Sequence, residues 1–319
     1  MSGTAAGVLA LAAGQNVLDP HSPAEHRITT LGWIMFVGSA IGLAIVAALL
    51  LLGWIRRKRE ALPFGGGESA GTGFVIGLGI GVPIVVLSAL FVYSNIFVVR
   101  STAAPNPRTT TLTVKVISHQ FWWELRYPGA NAVTANELHI PVKTRVNIEG
   151  TSDDVIHSFW VPELNRKIDL IPGHVDRILF YANRVGEYRG KCAEFCGAQH
   201  AHMDVLVFVQ PRAQFDAWLR RQAAPAQATG MAGEQVFLNN ACANCHQIRG
   251  TSARAQVGPD LTHVASRTTL AAGTIANDRP HLEEWVRDPQ HPKPGNKMPQ
   301  VRLSRQDFRA LVDYLEALK

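Results

Sequence analysis

CAEFCGAQHAHM, residues 192–203, places Cys192, Cys196, His200 and Met203 in one short run with the spacing C-x3-C-x3-H-x2-M. Another His, His157, lies upstream in DDVIHSFWVP. Thiolate and imidazole are soft to borderline donors that suit copper and zinc. Two Cys with two His would complete a structural zinc tetrahedron. Met203 argues for copper, because a thioether close behind a His is the weak axial ligand of copper electron-transfer sites. A disulfide between Cys192 and Cys196 is the third reading, open to a domain in an oxidising compartment.

The residues around this run read as strands. Thr110 to Val116 (TTLTVKV), Glu137 to Val142 and Arg145 to Ile148 alternate and are rich in β-branched side chains, and Val205 to Val209 (VLVFV) is a buried strand. Turn pairs such as Pro128-Gly129 and Pro172-Gly173 separate them. Short strands with such punctuation predict a β-sandwich or barrel over residues 101–211. A metal-ligand loop between strands, completed by a His from another loop, is the cupredoxin-like arrangement. Asp154, three residues before His157, could orient that ring or sit on a surface turn.

The chain has 319 residues, of which 47% are hydrophobic and 18% charged, with a formal charge of +6. The charged share is below the roughly 25% of ordinary soluble domains, and the composition excludes a disordered chain. Four Cys in such a length exclude a disulfide-stapled mini-protein. The apolar residues concentrate before residue 100. Leu31 to Trp54 and Phe74 to Val99 carry no charge, and each exceeds the ~20 residues needed to cross a bilayer. Trp33, Trp54 and Tyr93 stand near their ends, as interfacial aromatics do. Arg56, Arg57, Lys58 and Arg59 open the connection between the spans, so its turn is expected in the cytoplasm and both termini outside. Much of the positive charge is then a topology signal, and no nucleic-acid partner is expected. Residues 1–30 read as an N-terminal segment; Met1 to Gly14 is either a signal remnant or a loose start.

Arg212 to Gly230, with its QAAPAQATG stretch, reads as a linker. Residues 231–319 then turn helical and carry Cys242-Ala-Asn-Cys245-His246, the attachment signature of c-type haem: two thiols for the vinyl groups and an imidazole for the iron. Met298 in KPGNKMPQ is the candidate sixth ligand, and a His/Met pair raises the haem potential. His263, His281 and His291 are the fallback ligands, and Met231 competes but precedes the motif. Gly258-Pro259-Asp260-Leu261 is expected to wall the haem, with Pro259 near the imidazole. Ser304 to Leu318 predicts a closing helix capped by Ser304, with Phe308, Leu311, Val312 and Leu315 as its buried stripe.

From Asn16 onward the chain resembles subunit II of the haem–copper cytochrome c oxidases, and residues 231–319 are similar to a class I cytochrome c. The fusion matches the caa3-type subset. The resemblance implies a multi-domain membrane protein: a two-helix transmembrane hairpin over 31–100, a cupredoxin-like β-sandwich, and an all-α cytochrome c domain. It implies a binuclear CuA centre bridged by Cys192 and Cys196. His157 and His200 would bind one copper each, Met203 would be a weak ligand, and Glu194 would offer its carbonyl oxygen. The Glu194 side chain would help hold magnesium at the boundary with subunit I. One haem c would be attached through Cys242 and Cys245.

Phe121, Trp122 and Trp123 occupy the family's electron-entry segment, which often reads H-Q-W-x-W. Phe121 replaces the usual first Trp. The implied role is an electron relay, from a periplasmic cytochrome c or another donor, through haem c and CuA, to haem a and the O2 site of subunit I. Oxidase activity coupled to proton translocation would then belong to the complex with subunits I and III, in the lipid of the bacterial inner membrane. The alternative is a membrane-anchored CuA and haem c carrier that serves another terminal reductase.

Overall fold

The computed structural model describes residues 15–57 and 68–319, and they form two compact units. One unit is Pro23–Ala103. Its first helix, α1, runs Pro23–Arg56, and its second, α2, runs Gly71–Thr102. Neither apolar stretch is covered by protein. Both match the length expected of membrane-crossing helices. α1 begins at Pro23, ahead of the apolar run at Leu31. Proline at a first helical position has its φ already set, and Glu25 in the first turn suits the positive helix end. α2 widens to a π turn over Gly77–Gly81, with the Val82 N–H donating to the Gly77 carbonyl just before Pro83 takes an N–H out of the ladder. Arg27 ties the two helices by donating from Nη1 to the Phe97 carbonyl at 3.1 Å. Lys58 and Arg59, like Met1 to Gly14, lie outside the described residues.

The other unit contains two sheets and a helical segment. One sheet has the order β3-β2-β1-β5-β8, from β1 (Leu112–His119), β2 (Trp122–Tyr127), β3 (Ala132–Ala135), β5 (Val146–Ser152) and β8 (Asp176–Phe180). The second has the order β4-β10-β9-β6-β7, from β4 (Glu137–Pro141), β6 (His157–Trp160), β7 (Ile168–Leu170), β9 (Gly186–Cys192) and β10 (Asp204–Gln210). β1 pairs parallel with β5, and β10 pairs parallel with β4. Alternation fixes the inward faces: Val114 and Val116 of β1 and Val205, Val207 and Val209 of β10 join Trp123, Leu125, Phe159 and Ile178 in one core. The sandwich is cupredoxin-like, as expected.

Part of the expected linker is not a linker. Arg212–Ala223 forms helix α3, which buries Phe215, Trp218 and Gln222. Phe215 and Trp218 belong to the sandwich core, and Gln222 Nε2 donates to the Val133 carbonyl at 2.7 Å. Phe215, Trp218 and the partly buried Leu219 recur at helical spacing, so the segment has an apolar stripe to bury. The connection to the next helix is therefore the short stretch after Ala223.

The C-terminal segment packs helix α4 (Ala232–Asn239) against α6 (Arg305–Ala317), with α5 (Arg279–Arg287) beside them. Gly233 permits the α4–α6 contact, since a Cβ there would lie 2.0 Å from the Ala310 carbonyl oxygen. Ser304 caps α6 by accepting from the Asp307 N–H at 3.1 Å. Leu311, Val312 and Leu315 are buried as expected, joined by Tyr314. Phe308 is only partly buried. The segment is not purely helical, because β11 (Thr269–Leu270) and β12 (Ile275–Ala276) form a small ladder.

Candidate functional site

Five side-chain donors and one backbone carbonyl converge where β6 and β9 meet. His157 opens β6, Cys192 closes β9, and Phe159 pairs with Cys192 across the two strands. Cys192 Sγ lies 3.7 Å from His157 Nδ1 and 3.8 Å from Cys196 Sγ. Cys196 Sγ lies 3.7 Å from His200 Nδ1 and 4.0 Å from Met203 Sδ. The Glu194 carbonyl oxygen is 3.2 Å from Cys192 Sγ. The two sulfurs are not bonded, so the disulfide reading does not describe this state. Two metal–thiolate bonds of about 2.3 Å span up to about 4.6 Å, so sulfurs 3.8 Å apart can share a metal.

The electrostatics suit a cation. The contact between the two thiols lowers Cys192, with help from the His157 ring, and raises Cys196, so one sulfur ionises ahead of the other. Asp154 Oδ1 sits 2.9 Å from His157 Nε2, which leaves Nδ1 free to face the sulfurs. The Gln120 N–H donates to Asp154 Oδ2 at 2.7 Å. Against its burial, these hydrogen bonds hold the Asp154 carboxyl below its usual range. Asp154 thus orients the ring.

The second site is a cavity of about 580 Å³. Cys242, Cys245, His246 and Met298 all line it. Phe237, Leu282, Trp285, Leu311 and Leu315 give it an apolar wall. His246 donates from Nδ1 to the Pro259 carbonyl at 2.8 Å, which turns Nε2 toward the cavity. Burial holds the ring neutral by lowering its pKa. Gly258 is closed against it: a Cβ there would lie 2.6 Å from His246 Cε1. Gly258, Pro259 and Leu261 form the wall, but Asp260 turns away toward Arg249. The donor set and shape fit a haem. Arg267 adds a polar test, because it lines the cavity and its buried Nε has no partner, the demand a haem carboxylate would meet.

The fallback ligands are elsewhere. His263 places both ring nitrogens on carbonyls, 2.7 Å from that of Lys319 and 2.9 Å from that of Ala224. His281 pairs with Asp278, and His291 with Glu284. Met231 packs at the edge of the helical core, outside the cavity lining.

The aromatic run separates into two roles. Trp123 is wholly buried, with Nε1 donating to the Met203 carbonyl at 3.4 Å. Phe121 and Trp122 line the haem cavity, and Trp122 stacks on His119 at 4.3 Å. Just before them, Gln120 lines the same cavity and donates from Nε2 to the Cys196 carbonyl at 2.6 Å. One wall of the cavity is therefore supplied by the β-sandwich. Glu137 and Arg267 have no motif around them, Gln120 and Lys293 lie in the aromatic and Met298 stretches without being singled out there, and only the folded chain shows the contacts of all four.

Residues 131–209 match the family model for the periplasmic domain of cytochrome c oxidase subunit II, and residues 230–319 match that for cytochrome c. One region of the chain is thus similar to a subunit II periplasmic domain and a following region to cytochrome c. Curated relatives that this chain is similar to bear the name cytochrome c oxidase subunit 2. That of Alkalihalophilus pseudofirmus is 39% identical over 222 residues, or 67% of this chain and 64% of the relative. That of Bacillus subtilis is 32% identical over 223 residues, or 65% and 62%. The chain thus spans a little under two thirds of these relatives' length. Among solved structures, the periplasmic domain of subunit II of cytochrome oxidase from Bradyrhizobium japonicum is 29% identical, with 38% of this chain and 96% of that one covered and a TM-score of 0.36. The two family domains imply copper in the sandwich and haem in the helical segment.

Proposed function

We propose that this chain is the electron-relay subunit II of an aerobic cytochrome c oxidase, accepting electrons at haem c and delivering them through CuA to haem a in subunit I. The observation that carries this reading is the shared wall: Gln120 lines the cavity of the C-x-x-C-H motif and is hydrogen-bonded to the backbone of Cys196. Bound copper and haem supply the one-electron chemistry. The chain's residues supply the positions. Cys192 and Cys196 would bridge the copper pair, His157 and His200 would each bind one copper, and Met203 and the Glu194 carbonyl would complete the set. Cys242 and Cys245 would hold the haem covalently, with His246 and Met298 on its iron. Two rigid strands and a short loop hold the thiols, so the donors reorganise little when charge changes.

In this reading subunits I and III are the membrane partners, a periplasmic cytochrome c is the donor, and the hairpin sits in the bacterial inner membrane with its turn in the cytoplasm. The Glu194 carboxylate, now 3.8 Å from Lys167 Nζ, would help hold magnesium beside subunit I. The domain limits are then the hairpin, the sandwich extended through α3, and the cytochrome c domain.

The test is Cys196→Ser in the complex purified from its own membranes. The haem c spectrum should be retained, while the copper EPR signal and O2 consumption are lost. Full turnover in that variant, or zinc in place of two coppers per haem c in the parent complex, overturns the assignment. A preparation that never carries haem a with a multi-span partner favours the lone carrier.

A further inference from the structure

Lys293 is 2% exposed and sits in the boundary between the sandwich and the haem domain. Its ammonium donates to the carbonyls of Phe121 at 3.0 Å, His202 at 2.7 Å and Ala271 at 2.8 Å. An ammonium has three N–H donors, so this group is saturated. Two acceptors belong to the sandwich: Phe121 roofs the haem cavity, and His202 precedes Met203 in the copper loop. The third, Ala271, lies in the β11–β12 turn of the haem domain. The backbone of Lys293 is equally engaged. Its carbonyl accepts from Asn296 Nδ2 at 2.7 Å, and Asn296 Oδ1 accepts from the Met298 N–H at 2.8 Å. Pro292 and Pro294 flank it and stiffen its φ/ψ.

Among the described residues, no carboxylate is within ion-pair distance of this ammonium. Burial pushes it down to about 7. A cation placed on carbonyls alone is an expensive way to fill a boundary, and an apolar side chain would pack there without desolvation cost. Its gain is geometric: one side chain joins the copper loop, the cavity roof and the loop that carries Met298.

We propose that Lys293 is the positioning residue that locks the haem cavity against the copper loop and so sets the rate of electron transfer between them. This rests on the relay reading above. In that step one electron leaves the reduced haem and reduces the copper pair, with no bond or proton moved.

The experiment is Lys293→Met in the complete complex, loaded with haem and copper. An electron is injected at haem c by a photoreductant, and its arrival at copper is followed by absorbance at several solvent viscosities. The parent should transfer in one fast phase that is independent of viscosity. The variant should be slower by several-fold or more and should become viscosity-dependent because transfer now waits on domain motion. Its copper EPR signal should be unchanged, and Lys293→Arg should restore part of the rate. An unchanged, viscosity-independent rate overturns the proposal, as does a slow rate that comes with an altered copper signal. Should Lys293→Met fail to assemble, Lys293→Gln carries the same expectation. If the parent itself passes no electron from haem c to copper, the relay reading fails whatever the variants do.

Discussion

His246 is held from behind by a glycine. The ring donates to the Pro259 carbonyl at 2.8 Å, and the space beside it exists only because Gly258 has no Cβ. In Gly258→Ala the added methyl would meet the ring at 2.6 to 3.1 Å, on three of its atoms. The ring is the part that must yield. We expect haem still attached through Cys242 and Cys245, because neither thiol moves, but a weakened low-spin haem spectrum and a shifted potential. A parent-like spectrum and potential would show that the wall is more pliant than the packing suggests. Site chemistry at this scale is largely legible in the linear chain. C-x-x-C-H and C-x3-C-x3-H-x2-M carry their donors within a few residues, so local backbone geometry nearly suffices to gather them. His157 is different. It reaches Cys192 across a strand pairing, and Asp154 becomes its partner only because the turn before β6 folds back.

α3 shows what an element needs beyond composition. The Pro- and Ala-rich stretch from Ala223 onward looks like tether, yet Phe215 and Trp218 close the open end of the sandwich, with Trp218 stacked on His139 at 3.9 Å. His139 also stacks on Phe208 at 4.8 Å, and burial lowers its pKa to about 3. The unfolded chain would protonate near 6.5. Between those values the unfolded state binds the extra proton, so this contribution is complete above about pH 6.5 and is lost as pH falls toward 3. Thermal unfolding of the loaded protein should therefore lose on the order of 5 kcal/mol from this one ring over that window. His139→Phe should flatten that part of the profile. A variant with the same acid slope as the parent would mean that other groups carry it.

At the scale of the whole molecule, the sandwich and the haem domain are joined by reciprocal anchors. Lys293 reaches into the sandwich. Glu137 of β4 reaches out, its Oε1 accepting from the Thr268 N–H at 2.6 Å, the Thr268 hydroxyl at 2.7 Å and the Thr269 N–H at 3.2 Å. The Asp204 N–H adds a bond to the Ala272 carbonyl at 3.0 Å. Glu137→Ala strands two backbone donors at a buried boundary, a loss of about 2 to 3 kcal/mol. Calorimetry should then split one joint unfolding transition into two, while copper and haem content are unchanged. A single transition at the parent temperature would show that Glu137 does not couple the domains.

The hairpin, the β-rich middle, the helical end with its C-x-x-C-H motif and most of the side chains that cluster at the candidate metal site were readable from residue order, because hydropathy and donor spacing act over a few residues. The joining of the two redox sites was not. Gln120 on Cys196, Lys293 across the boundary and the sandwich as a wall of the haem cavity all depend on side chains far apart in sequence. Only packing and the need to satisfy buried polar groups brought them together.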